Sequence, residues 1–313
     1  MQRPISKTRR GGRVPSARPR LAWRLLLLAL ALAGAASLAP VAPVAAQEPE
    51  PPGEGHSPAW ARARDGVQVA ATAHFDVWAP GDDQALAATA ARVAATAEAV
   101  LPTVEARLAT PLADRVRLVL LPADQAPGPC EPRAATFPTR RRIVVFVGPA
   151  TLDPKALPAF LAHELGHQLT LDRWGALGND RRLSEGVATW AAEPYWLAWR
   201  GWSSMDQAAA DLLAKSAIAP LAEPHEGCLV AAERDVYYSA WSSFVDFLAR
   251  HYGWDRFGEA LSLPPVADDH ADYAAAFGRS LEDLTAAWEQ ELPRPDNAAS
   301  HAPTRHGAGS PRA

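Results

Sequence analysis

The feature that most constrains the fold of this 313-residue chain is a pentapeptide, His163-Glu164-Leu165-Gly166-His167. Apolar residues recur at helical spacing before and within it, at Leu157, Phe160, Leu161 and Leu165. This period indicates an amphipathic helix. Two histidines four residues apart lie on one face of a helix, so both imidazoles can reach the same metal ion. The pentapeptide therefore predicts a helix that carries a metal site.

The residue types in the pentapeptide match the chemistry of a hydrolytic zinc site. In the HExxH arrangement the two histidines bind Zn²⁺ and the glutamate acts as general base toward water. The chain has nine histidines in 313 residues, and a chance HExxH is expected only about 0.01 times in such a chain. His163 and His167 are thus predicted zinc ligands, and Glu164 is the predicted general base. A pair of core histidines without metal is the alternative.

A catalytic zinc site also needs a third protein ligand and an open position for water. The metzincin pattern is absent, because Thr170 and Arg173 stand where its glycine and third histidine would be. The better candidate is Glu185, eighteen positions after His167, in the segment LSEGVATW. This distance allows a loop and a second helix that returns antiparallel to the first, with Glu185 facing the metal.

HELGH followed by LSEGVATW resembles the gluzincin metallopeptidases, and most resembles the peptidase MA-like group. The similarity continues through the tyrosine-bearing segment Tyr238–Val245 to a Tyr-Gly pair at residues 252 and 253, and it spans about Val67 to Leu292. The resemblance implies a zincin-like fold and peptide-bond hydrolysis with Glu164 as general base. It also implies one Zn²⁺, with three ligands: His163, His167 and Glu185.

The resemblance further implies that Tyr238 donates its hydroxyl to the oxyanion of the reaction. Tyr237 could point inward instead, since neighbours on a helix are about 100° apart, and a tyrosine packed in the core is a third interpretation. The sequence departs from several gluzincins at Thr189, where they have an Asp that orients a ligand histidine. The groups that hold the Nδ1 protons of the histidines are therefore unidentified, and a backbone carbonyl would serve.

Strand patterns precede the pentapeptide and helical patterns follow it. Strands are predicted at Val67–Trp78, Val116–Leu121 and Arg142–Val147. An Ala-rich helix is predicted at Gln84–Leu108, and Asp153-Pro154 is predicted to begin the metal-site helix. Later helices are predicted at Leu183–Trp199, Met205–Ser216, Asp235–Tyr252, Trp254–Leu261 and Leu281–Leu292. This order indicates an α+β fold, with a small mixed sheet and helix in an N-terminal lobe, a C-terminal helical lobe, and the active-site helix between them.

Three further features have two interpretations each. Arg142–Val147 is the candidate edge strand for extended substrate, or else an interior strand. The arginines at 140–142 could favour acidic substrates, although solvated charges that block edge aggregation are the more ordinary explanation. Tryptophans 190, 196, 199 and 202 could form an aromatic substrate wall, but we favour a core between helices.

The two ends of the chain have a different composition from the middle. Residues 1–46 combine a basic start, an apolar run of about 14 residues and small residues before Gln47, which predicts a signal peptide, with an uncleaved anchor as the alternative. Residues 47–58 are a Pro- and Glu-rich linker, and residues 293–313 are predicted to be a disordered tail. The domain is expected at 59–292, in a secreted or extracytoplasmic protein. Cys130 and Cys228 permit one disulfide there.

The charge pattern bears on partners. The net charge is -4 and acidic and basic residues are mixed, so nucleic acid is not expected as a partner. No membrane partner is expected unless the N-terminal apolar segment is retained as an anchor. The predicted partner is a peptide or protein substrate. Two other functions stay open: a zinc-binding module without turnover, and a zinc hydrolase of non-peptide amides or esters.

Overall fold

The computed structural model describes residues 66–126, 133–215, 221–222, 229 and 231–294. The predicted signal peptide, the linker and both cysteines lie outside these ranges, as does the tail beyond residue 294. Within them, no helix combines the length and the apolar character that a membrane span requires.

Five strands form one mixed sheet. They are β1 (Val67–Ala71), β2 (Phe75–Ala79), β3 (Val116–Pro122), β4 (Ala134–Phe137) and β5 (Arg142–Val147). Their order in the sheet is β1-β2-β3-β5-β4. The three central strands are parallel to one another, whereas β1 and β4 pair antiparallel to their neighbours. The outer strands therefore run against the direction of the centre.

The sheet differs from the prediction in two places. The single strand predicted at Val67–Trp78 is two antiparallel strands, because the chain turns between Ala71 and Phe75. Strand β4 was not predicted, since its four residues, Ala-Ala-Thr-Phe, are too few to show a period. Because β4 covers one side of β5, the prediction that Arg142–Val147 is the edge strand is wrong.

Eight α-helices are present in the described ranges. They are α1 (Gln84–Leu108), α2 (Ala156–Trp174), α3 (Arg181–Ala191), α4 (Glu193–Arg200), α5 (Met205–Ala214), α6 (Ala231–Ser262), α7 (Tyr273–Phe277) and α8 (Leu281–Glu291). The pentapeptide lies in α2. The segment after α2 is mostly helical, so the chain is a mixed α+β structure with a small mixed sheet, as the order of patterns predicts.

Helix boundaries differ from the predictions most clearly in three places. The helix predicted at Leu183–Trp199 is interrupted at Ala192, because α4 starts anew with Pro194 in its first turn. Helix α2 begins at Ala156, and Asp153 accepts from its backbone N–H at 3.0 Å, so Pro154 does not occupy the first helical position. Helix α6 contains both predicted helices, and Gly253, with φ 82°, breaks it between them.

Helix α2 is the element on which the others are packed. Helix α1 lies against β1–β3 and against α2, and α2 also contacts β4, α3 and α4. Helix α3 in turn packs along α6. The main hydrophobic core fills the space between these helices and one face of the sheet. A smaller apolar cluster covers the other face, with Val119, Phe137 and Phe146 at its centre. The pentapeptide is thus enclosed on several sides by regular structure.

Candidate metal centre

Helices α2, α3 and α6 approach closely because two glycines lie at their contacts. A Cβ added at Gly166 would lie 2.8 Å from Cα of Ala188. A Cβ added at Gly186 would lie 2.7 Å from the carbonyl oxygen of Trp241. Real Cβ atoms essentially never come closer than 3.0 Å to such neighbours. Gly166 therefore allows α3 to lie against α2, and Gly186 allows α3 to lie against α6.

This close approach brings together His163, His167 and Glu185, which we call the ligand triad. Nε2 of His163 lies 3.1 Å from Oε2 of Glu185 and 3.2 Å from Nε2 of His167. Nε2 of His167 lies 3.3 Å from the same Oε2. All three atoms are acceptors when the imidazoles carry no proton at Nε2, so they repel one another unless a proton or cation lies between them.

The donor set and its spacing fit a zinc ion. Zinc binds imidazole nitrogen and carboxylate oxygen at about 2.1 Å, which places the ligand atoms of a tetrahedral ion about 3.4 Å apart. The three distances in the triad lie just below this value. The side chains of His163, His167 and Glu185 are 6%, 16% and 18% exposed, so the triad is open on one side. Such an opening is what a catalytic ion with a free coordination position needs.

The charges around the triad favour a cation at its centre. Burial lowers the pKa of His167, but the Glu185 carboxylate outweighs burial and raises this pKa above the ordinary 6.5. Burial raises the pKa of Glu185, but the two imidazoles outweigh it and hold this pKa well below 4.5. Glu185 is therefore ionised at neutral pH, and it attracts positive charge to the two histidines.

A hydroxyl group occupies the place where an Asp was expected. Oγ1 of Thr189 lies 3.1 Å from Nδ1 of His163, and Thr189 is fully buried. When Nε2 of this histidine binds a metal, Nδ1 carries the proton and donates to the hydroxyl. Thr189 lies one helical turn after Glu185, so one face of α3 supplies both a triad member and the partner of another. A backbone carbonyl is therefore not required as the acceptor for Nδ1 of His163.

Glu164 is held by a residue that sequence reasoning missed. Its Oε2 accepts a hydrogen bond of 2.6 Å from the hydroxyl of Thr136, and both side chains are buried. Thr136 belongs to β4, so this bond joins the strand to the pentapeptide. No motif in the sequence marks Thr136. The only signal would have been a polar residue inside a short apolar run, which is too common to single out.

Of the two candidate tyrosines, Tyr238 stacks on the ligand triad. Its ring lies parallel to the imidazole of His163, with 5.2 Å between centroids and 10° between planes. Burial raises the pKa of Tyr238 well above 10.0, and the charge of the Glu185 carboxylate adds to this rise. The hydroxyl is therefore protonated at neutral pH. Tyr237 packs its ring against Trp241, with 5.6 Å between centroids.

The four tryptophans do not form one wall. Trp196 is 2% exposed, and its indole N–H donates to Ser239, which agrees with a core position. Trp199 lies 5.3 Å from Trp196 between ring centroids, at the margin of the same cluster. Trp190 lies elsewhere, 4.5 Å from the ring of Trp254. Trp190 packs against the main hydrophobic core, whereas Trp199 and Trp202 pack around Trp196 in a smaller cluster.

Strand β4, and not β5, forms the sheet edge beside the site. Its antiparallel pairing with β5 includes a hydrogen bond from Phe146 N to Arg133 O. Because bonded pairs alternate along an antiparallel ladder, the backbone groups of Ala134 and Thr136 face away from β5. No other described strand pairs with this edge.

Two of the three arginines at 140–142 are engaged by the protein itself. Nη1 of Arg141 lies 2.8 Å from Oδ1 of Asp172, and the guanidinium of Arg142 is buried over the ring of Phe137. Arg141 and Arg142 are therefore not the solvated edge charges that the sequence predicts. Both side chains instead tie β5 and its neighbours to the rest of the chain.

Comparisons with known proteins add little to this geometry. No protein-family model and no curated protein matches the sequence. Among solved structures, a mutant of the M1 zinc metallopeptidase from Deinococcus radiodurans matches 74% of this chain with 19% identity and a TM-score of 0.34. This chain spans about half of that one, since the match covers 52% of it. A likeness of this size does not identify a family.

Proposed function

We propose that this protein is a zinc-dependent hydrolase of peptide bonds with a zincin-like fold of the gluzincin type. The observation that carries the proposal is the convergence of three acceptor atoms at 3.1 to 3.3 Å, beside the buried carboxylate of Glu164. His163, His167 and Glu185 hold the ion. Zinc bound there supplies Lewis acidity to water and to the substrate carbonyl.

Three residues around the triad have separate roles in the reaction. Glu164 takes a proton from the attacking water and passes it to the leaving amine. Tyr238 donates its hydroxyl to the oxyanion, and its raised pKa keeps that proton in place at neutral pH. Thr189 orients the ring of His163 through Nδ1.

The substrate is a peptide or protein segment in extended conformation. The outward backbone groups of β4 support this, because they can pair with an added strand next to Glu164. A secreted location, as the first 46 residues predict, agrees with a substrate outside the cytoplasm.

The test is cleavage of a peptide library by the purified full chain, with its zinc content measured and with and without chelator. Glu164→Gln should keep its zinc and lose about 10²- to 10⁴-fold in kcat, because a general base contributes about that much. Glu289→Gln, a change at an exposed position on α8, is the matched control.

Three results would contradict the proposal. The metal assignment fails if the chain binds no zinc. Unchanged hydrolysis in Glu164→Gln removes the general base. If the chain retains zinc but cleaves no peptide, a binding module is indicated. If it cleaves amides or esters of other kinds instead, it is a different hydrolase.

A further inference from the structure

Thr136 connects the edge strand of the sheet to the pentapeptide. Its hydroxyl lies 2.6 Å from Oε2 of Glu164 and 2.9 Å from the backbone oxygen of the same residue. Thr136 is 7% exposed and Glu164 is 6% exposed. The shorter contact is the stronger bond, because a carboxylate is the better acceptor and water scarcely competes at a buried position.

This bond fixes one carboxylate oxygen and leaves the other free. In the described part of the chain, Oε1 of Glu164 has no hydrogen-bond partner. The Glu164 carboxylate lies close enough to the site for its charge to act on His167 and Tyr238. The terminal torsion of a glutamate is broad, so without a partner the carboxylate would sample many orientations.

We propose that Thr136 is a positioning residue for Glu164. Its hydroxyl holds Oε2, so that Oε1 faces the water whose proton Glu164 accepts. This inference rests on the proposed function and adds to it a residue outside the helices that carry the metal site. Its effect is on rate, because catalytic groups lose much of their effect when misplaced by about 1 Å.

The experiment compares Thr136→Val, which removes the hydroxyl at nearly equal volume, with Thr136→Ser, which keeps it. Thr136→Val should lower kcat about 10- to 100-fold and leave KM and zinc content unchanged. Thr136→Ser should retain most of the activity. The matched control is Thr151→Val, because Thr151 is also buried and its hydroxyl donates to Phe146 O, away from the triad.

Two results in this comparison overturn the inference. Parental kcat in Thr136→Val shows that the hydroxyl does not matter. Equal losses in Thr136→Ser and Thr136→Val, or a loss that follows zinc content, show that the residue acts through packing or metal binding.

A second measurement separates this inference from the proposed function. Thr136→Val, Glu164→Ala and the double variant form a cycle in denaturant unfolding of the full chain. The two changes should be coupled by at least about twofold in the unfolding equilibrium constant, because the groups are in direct contact. An additive cycle overturns the inference at any level of activity. If the cycle shows coupling but the parent protein cleaves no peptide, the Thr136–Glu164 contact is supported and the proposed function is contradicted.

Discussion

Helix α3 contributes to two buried polar clusters, which differ in whether each acceptor atom has a hydrogen-bond donor in the protein. At the start of the helix, Oδ1 of Asp180 accepts from the backbone N–H and from Nε of Arg182, both at 2.9 Å. Oδ2 accepts from Arg182 Nη2, from Ala271 N and from the hydroxyl of Tyr273. One turn further along, the ligand triad brings two imidazole nitrogens against one carboxylate oxygen, and all three are acceptors when neither Nε2 carries a proton. Both carboxylate oxygens of Asp180 have protein donors, whereas the ligand triad needs a proton or a cation between its atoms. We call the Asp180 cluster the complete cluster and the ligand triad the incomplete cluster.

This difference distinguishes a cluster whose acceptors are satisfied by protein donors from one that can hold a cation. A buried carboxylate that is paired with a guanidinium and accepts several hydrogen bonds fixes the loops around it. Here the Asp180 carboxylate ties the start of α3 to Ala271 and Tyr273. Buried acceptors that converge on one point instead need a cation. Burial and charge alone would not have distinguished the two, because both clusters contain them.

The largest effect is expected at the complete cluster. Asp180→Ala leaves the guanidinium of Arg182 buried and unpaired, which costs about 3–5 kcal/mol in the free energy of unfolding. Denaturant unfolding measures this loss, with Asp255→Ala, at an exposed position on α6, as control. Zinc affinity of the folded variant should stay at the parental value. A change in zinc affinity as large as the change in stability would show that the two clusters act as one.

At the incomplete cluster, Glu185→Ala should weaken zinc binding more than about 100-fold, since loss of a hydrogen-bonded supporting group alone costs about 10- to 100-fold. Competition with a chelator of known affinity measures it. Chelator should lower the Tm of the parent and leave the Tm of the variant almost unchanged, because a ligand that binds the native state stabilises it. Equal zinc affinity in the two proteins would contradict the ligand triad.

A smaller effect is expected at Thr189. Thr189→Val removes the partner of His163 Nδ1 and should weaken zinc binding about 10- to 100-fold. Thr170→Val is the control, because Thr170 is buried in α2 and donates only to Gly166 O of its own helix. If both variants lose the same affinity, the effect comes from helix packing.

The smallest expected effect is at Tyr273 in the complete cluster, and it depends on pH. Tyr273→Phe should cost about 1.5 kcal/mol near neutral pH, because a hydrogen bond to a charged group is lost. Burial, with the Asp180 carboxylate, raises the pKa of Tyr273 well above 10.0. Since the folded-state pKa is the higher one, the stability that the tyrosine contributes is complete below pH 10 and is lost as pH rises further. The difference between parent and variant should therefore shrink above pH 10, and a constant difference would contradict this.

Local pattern predicted the four residues that we propose for the centre of the candidate site. His163, Glu164 and His167 lie within one helical turn, so helical period alone places them together. Glu185 follows from a helix that returns after a loop. The sequence marks Thr189 as a departure from the gluzincin pattern, but it does not show which group the hydroxyl contacts. The partner of the Glu164 carboxylate could not be predicted, because Thr136 is 28 residues away on a strand of four residues.

By itself, the sequence determined which residues can bind a metal ion, since donor type and helical spacing are local properties. The tertiary structure decided how they meet. The contacts at Gly166 and Gly186 set the distance between helices, and the pairing of β4 with β5 decided which strand borders the site. These features depend on contacts between segments far apart in the chain, and no local period reports them.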